Sequence, residues 1–164
     1  MSESARSLVP AIAGGAFALF LLFKLLVPAL GRDPRAREAR QRVAEAKRRG
    51  SDRAASPALR AAALREAAVI ALEDLRQPNL AASYALRAQR LDPNDAEAVG
   101  VLATALRRAS RWAALERVMW RKLADCEPDS DVYRRAFDEL LRLYDGQLRR
   151  PEVAQALRRL SSRG

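Results

Sequence analysis

The chain has 164 residues, with 30 lysines and arginines against 20 aspartates and glutamates, a formal charge of +10. It contains no histidine and one cysteine, Cys126, which excludes histidine general bases, histidine metal sites, intrachain disulfides and multi-cysteine zinc or iron–sulfur centres. Apolar residues reach 49% while aromatics are only 5%, and the dominance of Ala, Leu and Arg predicts an all-α protein with little catalytic equipment.

Residues 1–7 read as a short N-terminal tail. Leu8 to Leu30 then form 23 residues whose only charge is Lys24. As a helix this stretch is roughly 35 Å long, enough for a bilayer core of about 30 Å. The expectation for 8–30 is a retained transmembrane helix held in the lipid bilayer. A core helix of that length would have nothing to bury it in so small a protein. A cleaved leader would need a more basic start than MSESAR, an apolar stretch without Lys24, and a small-residue cleavage site. Gly14 and Ala18 form a small-xxx-small pair, which is common by chance in alanine-rich spans.

Charge sets the expected orientation. Arg6 alone precedes the span, whereas Arg32, Arg35, Arg37, Arg40, Arg42, Lys47, Arg48 and Arg49 follow it. Basic residues near a span favour the cytoplasmic side. The 27 arginines against 3 lysines suggest a GC-rich bacterial genome. Together these predict a single-pass protein of the inner (cytoplasmic) membrane, with its C-terminal domain in the cytoplasm.

Residues 31–50 read as a basic juxtamembrane stem. Asp33 suits an N-cap and Pro34 a first helical position, so a helix is predicted from Pro34 to Arg49, with Gly50 as its stop. Its apolar positions Ala36, Ala39, Val43 and Ala46 have heptad-like spacing, but they are too small and too few for a stable coiled coil. The eight stem basics either attract anionic lipid headgroups or only fix topology. Nucleic acid is a poor fit, because no aromatic side chains interleave with the arginines.

From 51 to 164 the charge is nearly balanced, with 20 basic and 16 acidic residues. Six helices are punctuated by caps and prolines. Ser56-Pro57 opens the first, and the turn Gln77-Pro78-Asn79 opens a second that runs to Leu91. Asp92-Pro93-Asn94-Asp95 leads into a third, ending at Ala109. Ser110-Arg111 precedes a fourth over Trp112–Cys126. Glu127 to Ser130 opens a fifth ending at Gly146, and Pro151 starts a shorter sixth. These make three helical hairpins whose second helices start 34 and 39 residues apart, a spacing typical of stacked helix-pair repeats.

Ala81 and Ala88 are small residues in the second helix of the first pair, followed by Leu91-Asp92-Pro93-Asn94. Val99, Leu102, Ala103 and Leu106 form a packing face on the next helix, and Trp112 is an aromatic opening the helix after it. In these features the chain from Ala62 to Pro128 resembles the tetratricopeptide repeat family. Leu115 and Lys122 depart from the pattern, and the third pair keeps only Pro151 to Ala154 and carries an insertion. The resemblance implies a short α-solenoid of about three hairpins over 51–164, and a partner-binding groove lined by the first helix of each pair. Carried over by position, the lining residues are Glu66, Ile70, Glu73 and Asp74 in the first repeat. In the second they are Glu97, Gly100, Thr104, Arg107 and Arg108. The paired Lys and Asn of the carboxylate-clamp subtype are missing, so chaperone tails are a poor ligand.

Trp120 lies beside the stripe Trp112, Leu115, Met119 and Cys126, and reads either as an exposed interface anchor or as packing on the next hairpin. Cys126, between Asp125 and Glu127, reads as unreactive. There is no phosphate loop, metal cluster or cofactor motif, so catalysis is not expected. The leading expectation is a membrane-tethered scaffold that binds a partner protein or serves as an accessory subunit of a membrane complex. The alternative is an envelope-facing protein, similar in layout to the membrane-anchored tetratricopeptide-repeat proteins that accompany secretion translocons.

Overall fold

The computed structural model describes residues 34–161; the expected span 8–30 and Arg32 lie outside them. The chain divides into two compact units, Met1–Arg37 and Glu38–Gly164. The described residues form seven α-helices and a π-helical turn, with no strand: α1 (Pro34–Ser51), α2 (Pro57–Glu73), α3 (Pro78–Leu91), α4 (Ala96–Arg108), α5 (Trp112–Asp125), α6 (Asp131–Arg142), the π turn Leu143–Gln147, and α7 (Pro151–Ser161). Among them no helix is long and apolar enough to cross a membrane.

Side-chain caps open three of these helices. The Ser56 hydroxyl accepts from the Leu59 N–H, the Asp95 carboxylate from the Ala98 N–H, and the Ser130 hydroxyl from the Tyr133 N–H. Each satisfies an amide that the helix itself leaves without a partner. The partner helices α3 and α7 begin on prolines instead, where the missing N–H costs nothing.

The three hairpin turns share one backbone device. Arg76, Ser110 and Arg149 have φ of 52°, 54° and 49°, and each sits two residues before the second helix of its pair. A left-handed residue there reverses the chain tightly. The following N–H then bonds back into the first helix: Gln77 to the Ala71 carbonyl at 2.8 Å, Arg111 to Leu106 at 2.9 Å, and Arg150 to Tyr144 at 3.0 Å. These are the closing bonds of helix C-caps.

From α2 onward successive helices pack on each other, and the first helices also meet directly, α2 on α4 and α4 on α6, whereas α3 and α5 do not meet. The first helices therefore form an inner layer. One core runs through the unit, built largely of fully buried alanines such as Ala67, Ala71, Ala81, Ala85, Ala88, Ala98 and Ala103. Leu64, Leu115, Met119 and Leu140 are its largest fully buried apolar side chains. Alanine at the contacts lets helix axes approach closely, so burial comes from backbone proximity as much as from bulky side chains.

Three expected boundaries change. From Glu38 on, the stem helix belongs to the same compact unit as the hairpins, so the break expected between 50 and 51 does not separate two domains. Its Ala39, Val43 and Ala46 are buried in the common core. Gly50 is not a left-handed stop: it is buried inside α1. A Cβ placed on it would lie 2.6 Å from Leu64 Cγ and 3.2 Å from the Arg60 carbonyl oxygen, so its bareness serves close approach to α2. Finally, the fifth predicted helix does not continue as α-helix to Gly146. It gives way after Arg142 to the π turn, which absorbs extra residues in the third hairpin.

Candidate functional site

The side chains spaced three and four apart on one face of α2, α4 and α6 converge. Val69, Leu72 and Glu73 of α2 face Ala96, Glu97, Gly100, Val101 and Thr104 of α4, and then Asp131, Arg134, Arg135 and Asp138 of α6. Together they line a groove of about 610 Å³. A second depression of about 540 Å³, lined by residues that include Arg49, Leu59, Ala62, Ala63, Glu66 and Val69, shares Val69 with it. The two depressions adjoin at Val69. The depression on α2 carries exposed apolar side chains, with Leu59 66% and Val69 41% exposed, beside the charged Arg49, Asp52, Arg65 and Glu66. The α6 side of the groove is charged.

Most charges along this surface are already paired. Arg65 bridges Asp95 at 2.8 Å and Glu97 at 2.6 Å. Arg108 reaches Glu73 at 3.1 Å and the Leu72 carbonyl at 3.2 Å. Asp131 is bonded to Arg134 within α6. The Arg135 guanidinium lies over the bare backbone of Gly100, where an added Cβ would come within 2.6 Å of Nη2. The Thr104 hydroxyl donates to the Gly100 carbonyl at 2.9 Å and accepts from Arg107 Nη2 at 3.0 Å.

Behind the groove wall, the fully buried carboxylate of Glu139 is bonded to Arg107 of α4 and, at 3.1 Å, to Arg142. Arg135 Nε stands 4.0 Å away. A buried carboxylate is tolerable only with such partners, and this one ties α6 to α4. Between α5 and the π turn, Trp120 Nε1 donates to the Tyr144 hydroxyl at 2.9 Å, which in turn donates to Glu116 Oε1 at 2.5 Å. Burial, reinforced by the bond to Glu116, raises the Tyr144 pKa above its ordinary value of 10.0.

The residues expected to line the groove separate into several groups. Glu73, Glu97, Gly100 and Thr104 lie in it. Glu66 lies in the adjoining depression, paired with Arg49 at 2.8 Å. Asp74 turns instead to α1, paired with Arg42 at 3.1 Å. Ile70 is buried, at 3% exposure, because α2 is apolar on nearly every side and its position 70 faces the core. Arg107 is held behind the wall by Glu139, and Arg108 lines a neighbouring recess with Leu72, Glu73, Arg76 and Pro78. Trp120 is bonded to the third hairpin yet remains 41% exposed. In the stripe beside it, Leu115 and Met119 are buried, while Trp112 and Cys126 are partly so.

Sequence reasoning missed the whole α6 contribution, because the third pair departs from the repeat pattern. The signal was nonetheless present. The caps Asp95 and Ser130 are 35 residues apart, and carrying that offset from Ala96 and Gly100 lands on Asp131 and Arg135, both of which line the groove. Among the described residues no cluster of Cys, Asp and Glu is placed to hold a metal ion. The chain matches no protein-family model, no curated protein and no solved structure with which it was compared.

Proposed function

We propose that this chain is a membrane-tethered adaptor of the tetratricopeptide-repeat kind, which holds a segment of a partner protein in the concave groove of α2, α4 and α6. The observation that carries the reading is the convergence of all three first helices on one groove, with the exposed apolar Val69 in its wall and Leu59 in the adjoining depression. Exposed apolar side chains in a concave, polar-rimmed surface are the usual anchor for a peptide or helix. Residues 8–30 supply the anchor, with the hairpins on the cytoplasmic face of the inner membrane. Tethering there raises the effective concentration of a weakly bound partner, either a soluble protein or an exposed part of a membrane complex.

The test is quantitative affinity capture from native membranes with wild type, a groove variant (Val101→Asp with Thr104→Arg) and a control, Leu86→Asp, on an exposed position of α3 outside the groove. A partner lost about tenfold with the groove variant and retained with Leu86→Asp supports the reading; tenfold corresponds to about 1.4 kcal/mol of binding. Equal recovery with all three chains contradicts it.

A further inference from the structure

The eight basic residues of the stem are equivalent as a sequence, but folding divides them. α1 runs antiparallel to α2: Arg42 meets Asp74, Arg49 meets Glu66, and the Gly50 carbonyl accepts from Arg60 Nε at 3.4 Å. Ala39, Val43, Ala46 and Gly50 form the buried face of α1. Arg42 and Arg49 flank that face and are committed to α2. Arg40, Ala44, Lys47 and Arg48 follow an i, i+4, i+7, i+8 spacing from the other edge of the buried face round to the outer side of α1, and all four are exposed. The side chains of Arg40, Lys47 and Arg48 make no hydrogen bond or ion pair within the described residues. Of the helix acids, Glu38 lies on the side of Arg42, and Glu45 borders the stripe between Arg49 and Arg48.

We infer that Arg40, Lys47 and Arg48 form a lipid-facing stripe that lays α1 along an anionic bilayer surface, while Arg42 and Arg49 serve packing alone. The inference rests on the membrane reading above. Three observations point to lipid as the occupant. The stripe is of a single sign, so its complement is a diffuse negative surface. No aromatic side chain lies in it to stack on a base. It also begins ten residues after the apolar stretch 8–30, within reach of the headgroups of the bilayer that would hold that stretch. Long basic side chains with mobile ends suit headgroups, which offer charge without fixed geometry.

The test uses the full chain carrying Cys126→Ser and Ala44→Cys, labelled at residue 44 with an environment-sensitive fluorophore. The labelled chain is reconstituted into vesicles of neutral phosphatidylcholine, or of phosphatidylcholine with 30% phosphatidylglycerol, each containing headgroup quenchers. Quenching at least threefold stronger in the anionic vesicles is expected. It should be lost in 0.5 M salt and in the Arg40→Gln/Lys47→Gln/Arg48→Gln variant with its helix content unchanged. Equal quenching in the two lipids, or quenching unaffected by the triple variant, overturns the inference and leaves an acidic protein surface as the stripe's partner. Alkaline extraction of the same vesicles reports separately on the anchor. Extracted chains that still show anionic-lipid-dependent quenching would remove the span and keep the stripe; resistant chains without that dependence would do the reverse.

Discussion

In the first hairpin, α2 meets α3 through alanines, with Ala67, Ala71, Ala81, Ala85 and Ala88 all fully buried. In the third, α6 is held by Glu139 among Arg107, Arg135 and Arg142, and the π turn by Tyr144 between Trp120 and Glu116. The two hairpins thus line opposite ends of one groove by different means, close apolar contact at one end and a buried polar network at the other. Close packing is insensitive to pH but intolerant of added volume. A buried network tolerates small shifts in volume but fails when one partner is removed.

The sharpest way to break the comparison is Glu139→Ala. Breaking a buried ion pair costs up to about 5 kcal/mol, and because Arg107 and Arg142 can turn toward water the expected loss is about 3 kcal/mol. Denaturant unfolding of the full chain in detergent, followed by helical circular dichroism, measures it. In the first hairpin the matching perturbation is overpacking. Ala85→Leu adds volume where α3 has none to give, and should cost about 2 kcal/mol in the same assay.

Tyr144→Phe is smaller. It removes the hydroxyl that joins Trp120 to Glu116, at a cost of about 1 kcal/mol. It also carries a pH signature. The folded-state pKa of Tyr144 is raised, so the folded protein holds this proton more tightly than the unfolded chain does. The resulting stability is fully present below the ordinary value of about 10 and is lost as pH rises from there through the folded-state value. Wild type should therefore lose stability above pH 10 more steeply than Tyr144→Phe, as read from paired unfolding curves at pH 8 and pH 10.5. The smallest effect is expected from Arg49→Ala. Its partner Glu66 is nearly half exposed, and an exposed pair contributes about 0.5 kcal/mol or less.

How much of this was legible in the sequence follows the same division. The α2–α5 region announces itself through Ser56-Pro57, Pro78, Asp95 and Trp112, because caps and prolines act locally and alanine spacing reports close packing. Four of the groove positions, Glu73, Glu97, Gly100 and Thr104, follow from the repeat resemblance carried over by position. The same carry-over puts Ile70 in the groove, and a helix apolar on all sides gives no periodicity that would separate the core face from the groove face. The third hairpin was opaque for a different reason. Glu139 looks like any surface glutamate until α4 is laid beside α6 and Arg107 covers it. Likewise the π turn has no local signature comparable to Pro at a helix start. Gly50 read as a stop because its role is set by Leu64, fourteen positions away.

The most direct measurement is paired photo-crosslinking in native membranes, with a photoreactive residue at Val69 in one chain and at Asp138 in another. If the alanine-packed and polar hairpins present one binding surface, both positions should capture the same partner, on neighbouring segments of its sequence, while a probe at Leu86 captures none of it. Different partners at Val69 and Asp138, or equal capture at Leu86, would contradict a single groove.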